Sequence, residues 1–448
     1  RTISHFWGTF VQMSGKRDFE VAVVGGGPAG YVAAIRAAQL GAKTALIEKG
    51  HLGGVCANVG CIPTKAMIHA ARTMLEVEHA AEIGIDVGKV KLDFSRAAAH
   101  RDRVVEKLRK GVEQLLGGHN VELVRGEASF EDDHTLSVKA PKKKCKKLSA
   151  DSILIAAGSG PVELPQVEFD GKRILNSSHA VQLEELPKSI LIVGGGYIGC
   201  EFAAAFVTLG VEVTLVEMLD RILNGMDKDC AREVFKYLKK RGANVYTGTK
   251  VEELKALKAS VKGKLSNDKE VRAEQALICV GRRPTTAGLG LEEAGVDVNE
   301  KGAVDVNEHM QTSVPHIYAI GDITGGILLA HVASQEGLVA AAHATGTISA
   351  KMDYRVVPAC AFTLPEVGTV GMTEEEAKEK VGAITVKRFP MQALGKAQVD
   401  AETDGFVKMV ADAGTGELLG VHMVNHEASN LIAEAALALK LEATAEEL

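Results

Sequence analysis

Two stretches of the chain repeat one pattern of apolar and polar positions. Residues 21–49 and residues 190–218 align without a gap at an offset of 169. Each begins with a continuous apolar run, which is typical of a parallel strand buried on both faces. A segment with the apolar spacing of a helix follows, then a helix-ending glycine, then a second apolar run that ends in a glutamate. The repeat therefore predicts two strand–helix–strand units of the same design.

Each unit carries the motif G-x-G-x-x-G directly after its first strand. The first glycine allows a tight turn, the second lets the backbone approach a pyrophosphate, and the third lets the helix pack on the strand. The helix N-terminus offers N–H groups and a positive dipole end to the phosphates. A carboxylate at the end of the second strand can bind ribose hydroxyls. Because the whole unit occurs twice, it predicts one site for FAD and one for a nicotinamide coenzyme. The residues are Gly25, Gly27, Gly30 and Glu48 in the first unit, and Gly194, Gly196, Gly199 and Glu217 in the second.

The acid of the second unit bears on the choice of nicotinamide coenzyme. A carboxylate at Glu217 favours a free ribose 2′-hydroxyl and repels a 2′-phosphate. Arg221 lies four positions later, where it could favour NADP, but Glu217 stands directly at the strand end. We therefore expect NAD rather than NADP.

Three further apolar runs end in aspartate or glycine. Residues 316–322 predict a strand that ends in Asp322, followed by a Gly-rich turn and a helix from about residue 328. Asp322 could bind the polyol of a cofactor or serve only as an ordinary helix N-cap. Residues 153–161 and 276–284 predict strands that cross between two interleaved domains.

Composition places the chain among large α/β proteins. It has 448 residues, of which 46% are apolar but only 4% aromatic, with 47 glycines, as expected for aliphatic cores joined by many tight turns. The net charge of −6 gives no reason to expect nucleic acid or an anionic membrane as partner, and no 18-residue run lacks charge. The basic run 142–147 predicts a solvated hairpin. We interpret residues 1–17 as a tail, either a transit-peptide remnant or an unprocessed or vector-derived segment.

Two of the seven cysteines are close in sequence, in GGVCANVGCIPTKA at residues 53–66. Cys56 and Cys61 could be a redox couple, part of a metal site or a structural disulfide. Structural zinc usually takes a second ligand doublet, which the sequence lacks, and a disulfide across so small a loop adds little stability. The pair begins eight residues after Glu48, and a helix N-terminus together with Lys65 would favour a thiolate there. We therefore favour a redox couple, and the thin spread of cysteines favours a reducing cytosol.

The sequence resembles the flavoprotein disulfide reductases over roughly residues 18–448. The resemblance is carried by GGVCANVGCIPTKA, both glycine motifs, IYAIGD, LLAHVASQEG, FTLPEVGTVGMTEEEAKE and ETDGFVKMVAD. Within that family the chain is most similar to the members that oxidise protein-bound dihydrolipoamide to lipoamide with NAD⁺. The resemblance implies an α/β fold of two interleaved Rossmann-like dinucleotide-binding domains plus a C-terminal α+β dimerisation domain. It also implies FAD and NAD as cofactors, a homodimer, and the lipoyl domains of 2-oxoacid dehydrogenase complexes or the glycine cleavage system as partners.

The resemblance implies roles for individual residues. Cys56 would exchange with the substrate, Cys61 would face the flavin, and Lys65 would lie beside the flavin, paired with Glu201. The implied FAD-binding positions are Gly25, Gly27, Gly30, Glu48, Lys49, Gly54, Lys65, Gly126, Gly158, Asp322, Leu328, Leu329, Ala330 and His331. The implied NAD-binding positions are Gly194, Gly196, Tyr197, Gly199, Glu217, Val251 and Gly281. Tyr197 could instead pack at a domain contact.

The expected order of domains follows from the motifs and the resemblance. It is a tail at 1–17, an FAD-binding domain at 18–155 and 283–352, an NAD-binding domain at 156–282, and a dimerisation domain at 353–448. The expected location is cytoplasmic, with the mitochondrial matrix as the alternative. A mercuric reductase-like or glutathione reductase-like enzyme and a non-catalytic flavoprotein are the alternative functions.

The end of the sequence departs from the family pattern. The family's basic His in a His-Pro stretch, with its orienting Glu, does not occur before the chain ends at EATAEEL. Thr444 and Glu447 have the spacing of a capping box and predict the start of a further helix. We therefore expect the C-terminal domain to be incomplete.

Overall fold

The computed structural model describes residues 17–140, 144–165, 167–347 and 351–448. The strands are β1 (Phe19–Val24), β2 (Thr44–Glu48), β3 (Glu122–Arg125), β4 (Glu127–Phe130), β5 (Thr135–Lys139), β6 (Lys146–Ile155), β7 (Ser159–Pro161), β8 (Ile174–Asn176), β9 (Ser189–Val193), β10 (Glu212–Val216), β11 (Asn244–Tyr246), β12 (Val251–Ala256), β13 (Val261–Leu265), β14 (Glu270–Ala273), β15 (Gln275–Ile278), β16 (Arg282–Pro284), β17 (Ile317–Ala319), β18 (Ala359–Ala361), β19 (Glu366–Gly371), β20 (Ile384–Pro390), β21 (Phe406–Asp412) and β22 (Leu418–Asn425). The helices are α1 (Pro28–Gln39), α2 (Gly54–Val59), α3 (Cys61–His79), α4 (Phe94–Gly118), α5 (Ser177–Ala180), α6 (Tyr197–Thr208), α7 (Lys228–Lys240), α8 (Ala330–Ala344), α9 (Glu374–Lys380), α10 (Gly395–Val399) and α11 (Ala428–Lys440). Single 3₁₀ turns lie at Ala80–Ile83, Gly321–Thr324 and Met391–Ala393.

The first sheet is built around β1, which pairs in parallel with β2 and β6. The far side of β6 receives β17, so the chain leaves this sheet at Ile155 and re-enters it at Ile317. The first half of β6 pairs with β5 in an antiparallel hairpin. Helices α1 and α8 cover the sheet and approach each other so closely that a Cβ on Gly337 would lie 2.6 Å from Ala29 O.

The second sheet has the order β11-β10-β9-β15-β8, with every pairing parallel. Within it, β9, α6 and β10 form the second glycine-rich unit. Helix α6 is buried continuously from Gly199 to Thr208, because it also contacts α3, which follows the first glycine-rich unit, and β18 of the C-terminal sheet. The small antiparallel sheet β12-β13-β14 packs on this unit through Val261 and Leu265.

Two short strands link the first and second sheets. β7 follows β6 and β16 follows β15, and the two pair in antiparallel orientation. The chain therefore crosses from the first sheet to the second and returns beside its own path. This arrangement confirms the predicted interleaving of two dinucleotide-binding regions, while the boundaries given above stay predictions.

The C-terminal region is a separate antiparallel sheet of order β18-β19-β22-β21-β20, with α11 packed across β19 and β22. A Cβ on Gly368 would lie 2.7 Å from Ala428 O, so helix and sheet are in close contact. Mixed sheet and helix here confirm the expected α+β C-terminal domain. Among the described residues, no helix is both long and apolar enough to cross a membrane.

Two local expectations need adjustment, and a third agrees with the structure over the residues that it describes. The strand predicted to end at Asp322 ends at Ala319, and the next helix begins at Ala330 rather than about 328, because a 3₁₀ turn at Gly321–Thr324 intervenes. Thr444 does donate its backbone N–H to Glu447 (2.8 Å), but it also bridges to Glu417, and a turn forms instead of a helix. The basic run lies partly outside the described residues; its last two lysines are exposed and begin β6 of a hairpin.

Candidate redox-active site

The loop after β1 requires glycine. Gly25 has a φ of 107°, and a Cβ there would lie 2.3 Å from Ala156 O. A Cβ on Gly30 would lie 1.8 Å from Gly25 O, because α1 packs directly on the strand end. Helix α1 starts with Pro28, and no side chain in the described part of the chain caps it. Its first N–H groups are therefore free of side-chain partners, and this cradle fits the diphosphate of FAD.

The loop after β9 reproduces this geometry. Gly194 has a φ of 105°, and a Cβ there would lie 2.4 Å from Cys279 O. A Cβ on Gly199 would lie 1.9 Å from Gly194 O. Helix α6 likewise begins without a side-chain cap from the described residues. The second loop fits the diphosphate of NAD for the same reason.

A glutamate at the end of the second strand is held by backbone N–H groups in both units. Glu48 accepts hydrogen bonds from Gly26 N (2.6 Å) and Gly50 N (2.5 Å). Glu217 accepts from Gly195 N (2.5 Å) and from the second residue after itself (2.7 Å). Each carboxylate is therefore fixed beside its glycine loop, at the strand end where a dinucleotide's ribose is expected.

Cys56 and Cys61 form a disulfide, with 4.6 Å between their Cα atoms. Cys56 lies in α2, and Cys61 is the first residue of α3. Helix α2 is docked on the first glycine loop, because a Cβ on Gly54 would lie 2.7 Å from Gly27 Cα. A sulfur at the first position of α3 faces the positive end of that helix, which stabilises a thiolate. The disulfide thus joins two short helices beside the proposed flavin loop.

Lys65 lies one helical turn after Cys61 and is paired with a buried carboxylate. Its Nζ donates to both carboxylate oxygens of Glu201 (2.9 and 2.8 Å), whose side chain is only 7% exposed. Phe362 donates its backbone N–H to the same carboxylate (3.0 Å), and its ring lies 4.3 Å from Nζ. Because a buried carboxylate is costly without partners, these contacts fix both charges in place. The pair joins α3, which follows the first unit, to α6 of the second unit and to the segment after β18.

Asp322 is anchored where the two crossing strands meet. Ser159 Oγ donates a short hydrogen bond to its carboxylate, and Arg282 Nε lies 3.5 Å from the same oxygen. Arg282 also donates to Ser159 Oγ (2.7 Å) and to Ser159 O (2.6 Å). The N-cap of the following helix α8 is Leu329, so the interpretation of Asp322 as that helix's cap is wrong. A carboxylate fixed in this way at the edge of the first sheet can accept hydrogen bonds from a cofactor's polyol.

Comparison with known families decides the class of protein. The sequence pattern of the pyridine nucleotide-disulphide oxidoreductases matches residues 19–337, and that of the family's dimerisation domain matches residues 357–448. The chain belongs to the pyridine nucleotide-disulphide oxidoreductase family. The presence of the dimerisation domain supports a homodimer, and the disulfide described above is the redox group expected of this family.

Several relatives of this oxidoreductase are named dihydrolipoyl dehydrogenase. One from Bacillus subtilis is 41% identical over 429 residues, covering 95% of this chain and 93% of the relative. Another from Geobacillus stearothermophilus is 43% identical over 434 residues, covering 96% and 92%. Among solved structures, LpdA from Mycobacterium tuberculosis superposes with a TM-score of 0.90 at 28% identity, covering 96% and 95%. The HOCl-induced flavoprotein disulfide reductase RclA from Escherichia coli gives 0.85 at 29% identity, covering 95% and 94%.

The other predicted FAD positions of this oxidoreductase differ in how they are placed. Lys49 forms an exposed ion pair with Glu127 (2.9 Å). His331 lies in the first turn of α8, which starts at Ala330, and its Nε2 lies 2.8 Å from Pro358 O. Leu328 is exposed in the loop before α8. Gly126 and Gly158 have φ values of 156° and 73°, which favour glycine at both positions. Their cofactor roles stay predictions.

The other predicted NAD positions lie around the second sheet. Gly281 has a φ of 135° where the chain leaves β15, and Val251 begins β12. Tyr197 is the first residue of α6; burial raises the pKa of its hydroxyl, with a smaller effect from the nearby Cys360. Tyr197 is partly buried close to Cys360, and both interpretations of it, a role toward NAD and packing at a domain contact, stay predictions.

Sequence reasoning missed the residues that hold the predicted ones in place. Asn58 lies between the two cysteines and donates to Leu52 O (2.9 Å) and Gly54 O (2.8 Å). Arg109 of α4 donates to Asn58 Oδ1 through Nε (3.0 Å) and Nη2 (2.7 Å). An amide inside the cysteine motif was a usable signal for Asn58. Nothing in the local sequence indicated Arg109, Ser159, Arg282 or Phe362, because each reaches the site from a distant segment.

Proposed function

We propose that this protein oxidises protein-bound dihydrolipoamide to lipoamide and reduces NAD⁺, as relatives named dihydrolipoyl dehydrogenase do. The observation that carries the proposal is the Cys56–Cys61 disulfide, docked through Gly54 on the glycine loop that fits FAD. A protein with only a structural role would have no use for a redox disulfide at that place. FAD and NAD are the cofactors of this family, and the two glycine loops are where the chain fits them.

The cysteine pair performs the exchange with the substrate dithiol. A substrate thiolate attacks Cys56 Sγ, the S–S bond breaks, and Cys61 leaves as a thiolate at the positive end of α3. The second substrate thiol, once deprotonated, attacks the substrate sulfur of this mixed disulfide, which releases cyclic lipoamide and leaves Cys56 as a thiolate. One dithiol is thus oxidised and one disulfide reduced, so two electrons remain on the cysteine pair. The helix position of Cys61 supports it as the inner thiol and leaves Cys56 as the partner of the substrate.

The electrons then have to reach NAD⁺. FAD, when bound at the first glycine loop, would relay two electrons from the cysteine pair to the nicotinamide. Lys65 lies one helical turn from Cys61, where its positive charge favours an anionic partner, and its hydrogen bonds to Glu201 fix the position of Nζ. Glu217 and the second loop orient the adenosine half of NAD.

The domain roles and partners follow from the same proposal. Residues 18–155 and 283–352 bind FAD, residues 156–282 bind NAD, and residues 353–448 form the dimer interface. The substrate is the lipoyl group of a lipoyl domain, in a 2-oxoacid dehydrogenase complex or the glycine cleavage system. The proposed location is the cytoplasm, where bacterial dehydrogenase complexes of this type would supply that substrate.

A substrate panel tests the proposal. FAD-loaded protein is assayed for dihydrolipoamide-dependent reduction of NAD⁺, with glutathione disulfide and Hg²⁺ reduction by NADH or NADPH as competing activities. We expect turnover with dihydrolipoamide and NAD⁺ to exceed each alternative by at least about a hundredfold in kcat/KM, which corresponds to about 2.7 kcal/mol of transition-state selectivity. Preferential reduction of glutathione disulfide or Hg²⁺ would replace the proposal by the corresponding reductase.

A further inference from the structure

The segment after Glu217 folds back onto the second glycine loop. A Cβ on Gly195 would lie 3.0 Å from Glu217 Cβ and 2.9 Å from a methyl group of Ile222. Leu223 also donates its N–H to Gly195 O (2.7 Å). Arg221 is the residue immediately before Ile222, so its backbone adjoins the same loop as the carboxylate that is expected to bind the adenine ribose. A long guanidinium side chain at this position would be within reach of a ribose bound by Glu217.

Arg221 is turned away to an acidic partner from another domain. Its Nη2 lies 3.0 Å from Glu375 Oε2, and its Nη1 lies 3.4 Å from Glu375 Oε1. The Nε atom is buried and has no hydrogen-bond partner in the described part of the chain. Glu375 belongs to α9 in the C-terminal domain, and Lys228 Nζ lies 3.9 Å from its Oε1. A two-pronged pair of this kind holds the guanidinium plane in one orientation.

A buried charge cluster fixes the position of α9. Lys408, whose side chain is 1% exposed, contacts Asp227 (3.0 Å), Asp229 (2.8 Å) and Glu374 (2.7 Å). Burial alone would lower the pKa of Lys408, but hydrogen bonds to these carboxylates raise it overall. Glu374 and Glu375 are consecutive, so the cluster that joins the two domains also places the carboxylate that binds Arg221.

We propose that Glu375 is a specificity-determining residue, which holds Arg221 away from the adenine ribose and so disfavours coenzymes with a 2′-phosphate. The inference rests on the proposed NAD site and assigns part of its selectivity to the C-terminal domain. A 2′-phosphate would have to compete with Glu375 for Arg221 and would meet the negative charges of both Glu375 and Glu217. Removing Glu375 releases the arginine for the phosphate and removes one of the repelling charges.

The test measures binding without hydride transfer. FAD-loaded protein is titrated by calorimetry with adenosine 2′,5′-bisphosphate and with adenosine 5′-monophosphate, which differ only in the 2′-phosphate. The variants are Glu375→Gln, Arg221→Ala and the double variant. The control is Glu379→Gln, which makes the same charge change at an exposed position on the same helix. Because an exposed ion pair is weak, we expect Glu375→Gln to tighten the bisphosphate by only about threefold to tenfold, with the monophosphate unchanged within about twofold.

The double variant makes the inference falsifiable. We expect the gain to disappear in Arg221→Ala/Glu375→Gln and to be absent in Glu379→Gln. No gain in Glu375→Gln, or a gain that persists in the double variant, would overturn the role assigned to Glu375 while leaving the NAD site in place. If adenosine 5′-monophosphate fails to bind the unaltered protein, the nucleotide site itself is wrong and both proposals fall.

Discussion

The first glycine-rich unit spans residues 19–48, the second spans residues 189–217, and their loops are nearly interchangeable. Both loops have a first glycine with a φ close to 106° (107° and 105°), and both hold their terminal glutamate with two backbone N–H groups. A further contact is also shared, because a buried aliphatic side chain packs on the glycine that follows the first one. This side chain is Leu52 at Gly26 and Ile222 at Gly195. The loops therefore encode what two dinucleotides have in common, which is a diphosphate followed by a ribose.

The units differ in what comes directly after the strand. The first continues into Gly54 and the disulfide helices, which dock on its own loop. The second continues into Arg221, which reaches a helix of the C-terminal domain. The helices differ as well, because α6 carries Glu201 inward to Lys65, whereas α1 has Val32 at the aligned position. Function diverges in the flanking segments, so the two units can be tested separately.

The largest effect on turnover is expected when one cysteine of the redox pair is removed. Cys56→Ser and Cys61→Ser should each reduce lipoamide-dependent NAD⁺ reduction by at least about 10³-fold, because exchange requires both sulfurs. Binding of adenosine 5′-monophosphate at the second unit should stay unchanged within about twofold in calorimetry. Cys145→Ser, at an exposed free cysteine, is the control and should retain full turnover. Substantial turnover in either active-site variant would remove the disulfide from the mechanism.

Replacing the first glycine of each loop by alanine should weaken the binding of a different cofactor in each variant. Gly25→Ala should weaken FAD binding by about 10²-fold, because an alanine Cβ collides with backbone and the φ is unfavourable for it. Gly194→Ala should weaken the nicotinamide nucleotide to a similar degree while FAD stays bound. Flavin absorbance after gel filtration measures FAD bound at the first loop. Calorimetry with the nucleotide measures binding at the second loop. Gly41→Ala has a comparable φ of 94° but open space around its Cβ, so it isolates the backbone contribution. Equal loss of both cofactors in both variants would contradict the assignment of one site to each loop.

The charge cluster around Lys408 in the C-terminal domain should weaken in acid, because Glu374 is one of its carboxylates. Hydrogen bonds from Lys378 and then Lys408 lower the pKa of Glu374 from 4.5 to about 2. A lowered folded-state pKa contributes stability above the unfolded-state value of 4.5, and that contribution is lost as the pH falls toward about 2. Glu374→Gln should therefore reduce the free energy of unfolding by about 2 kcal/mol at neutral pH and by less at pH 3. Chemical denaturation at several pH values measures this, and a loss independent of pH would refute the ionic explanation.

The smallest expected effect is a change in the preference for NAD⁺ over NADP⁺, and it should occur at Glu217 but not at Glu48. Glu217→Ala should raise the ratio of NADP⁺ to NAD⁺ use by about tenfold, because it removes both a ribose acceptor and a charge that repels the 2′-phosphate. Glu48→Ala, assayed with FAD at saturation, should leave the ratio unchanged. If Glu217→Ala does not alter the ratio, the adenine ribose does not sit at Glu217.

The features that were predictable from the sequence are local ones. The glycine loops, the two strand-end glutamates and the cysteine pair are each specified within about 30 residues, so their spacing carries the information. Residues that complete the site are separated from their partners by 161 positions for Phe362 and Glu201, and by 163 for Ser159 and Asp322. Such contacts depend on how whole domains pack, which a single sequence does not display.

Two errors at element ends have a similar cause. The capping-box spacing at Thr444 correctly predicts its hydrogen bond to Glu447, yet pairing of Thr444 with Glu417 competes with the expected helix. The strand before Asp322 ends early because Gly321, with a φ of 74° and its N–H bound by Glu336, starts a tight turn. In both places a tertiary contact overrides the local pattern.

The central claim is that Cys56 and Cys61 accept two electrons from a substrate dithiol, and that these electrons then pass to NAD⁺. The most direct measurement adds one equivalent of dihydrolipoamide to FAD-loaded protein without NAD⁺, traps free thiols with an alkylating reagent and locates them by mass spectrometry. We predict that Cys56 becomes alkylated first and most strongly, and that addition of NAD⁺ before trapping restores the Cys56–Cys61 disulfide. Alkylation confined to Cys145 or Cys360, or a reduced pair that NAD⁺ does not reoxidise, would contradict the account.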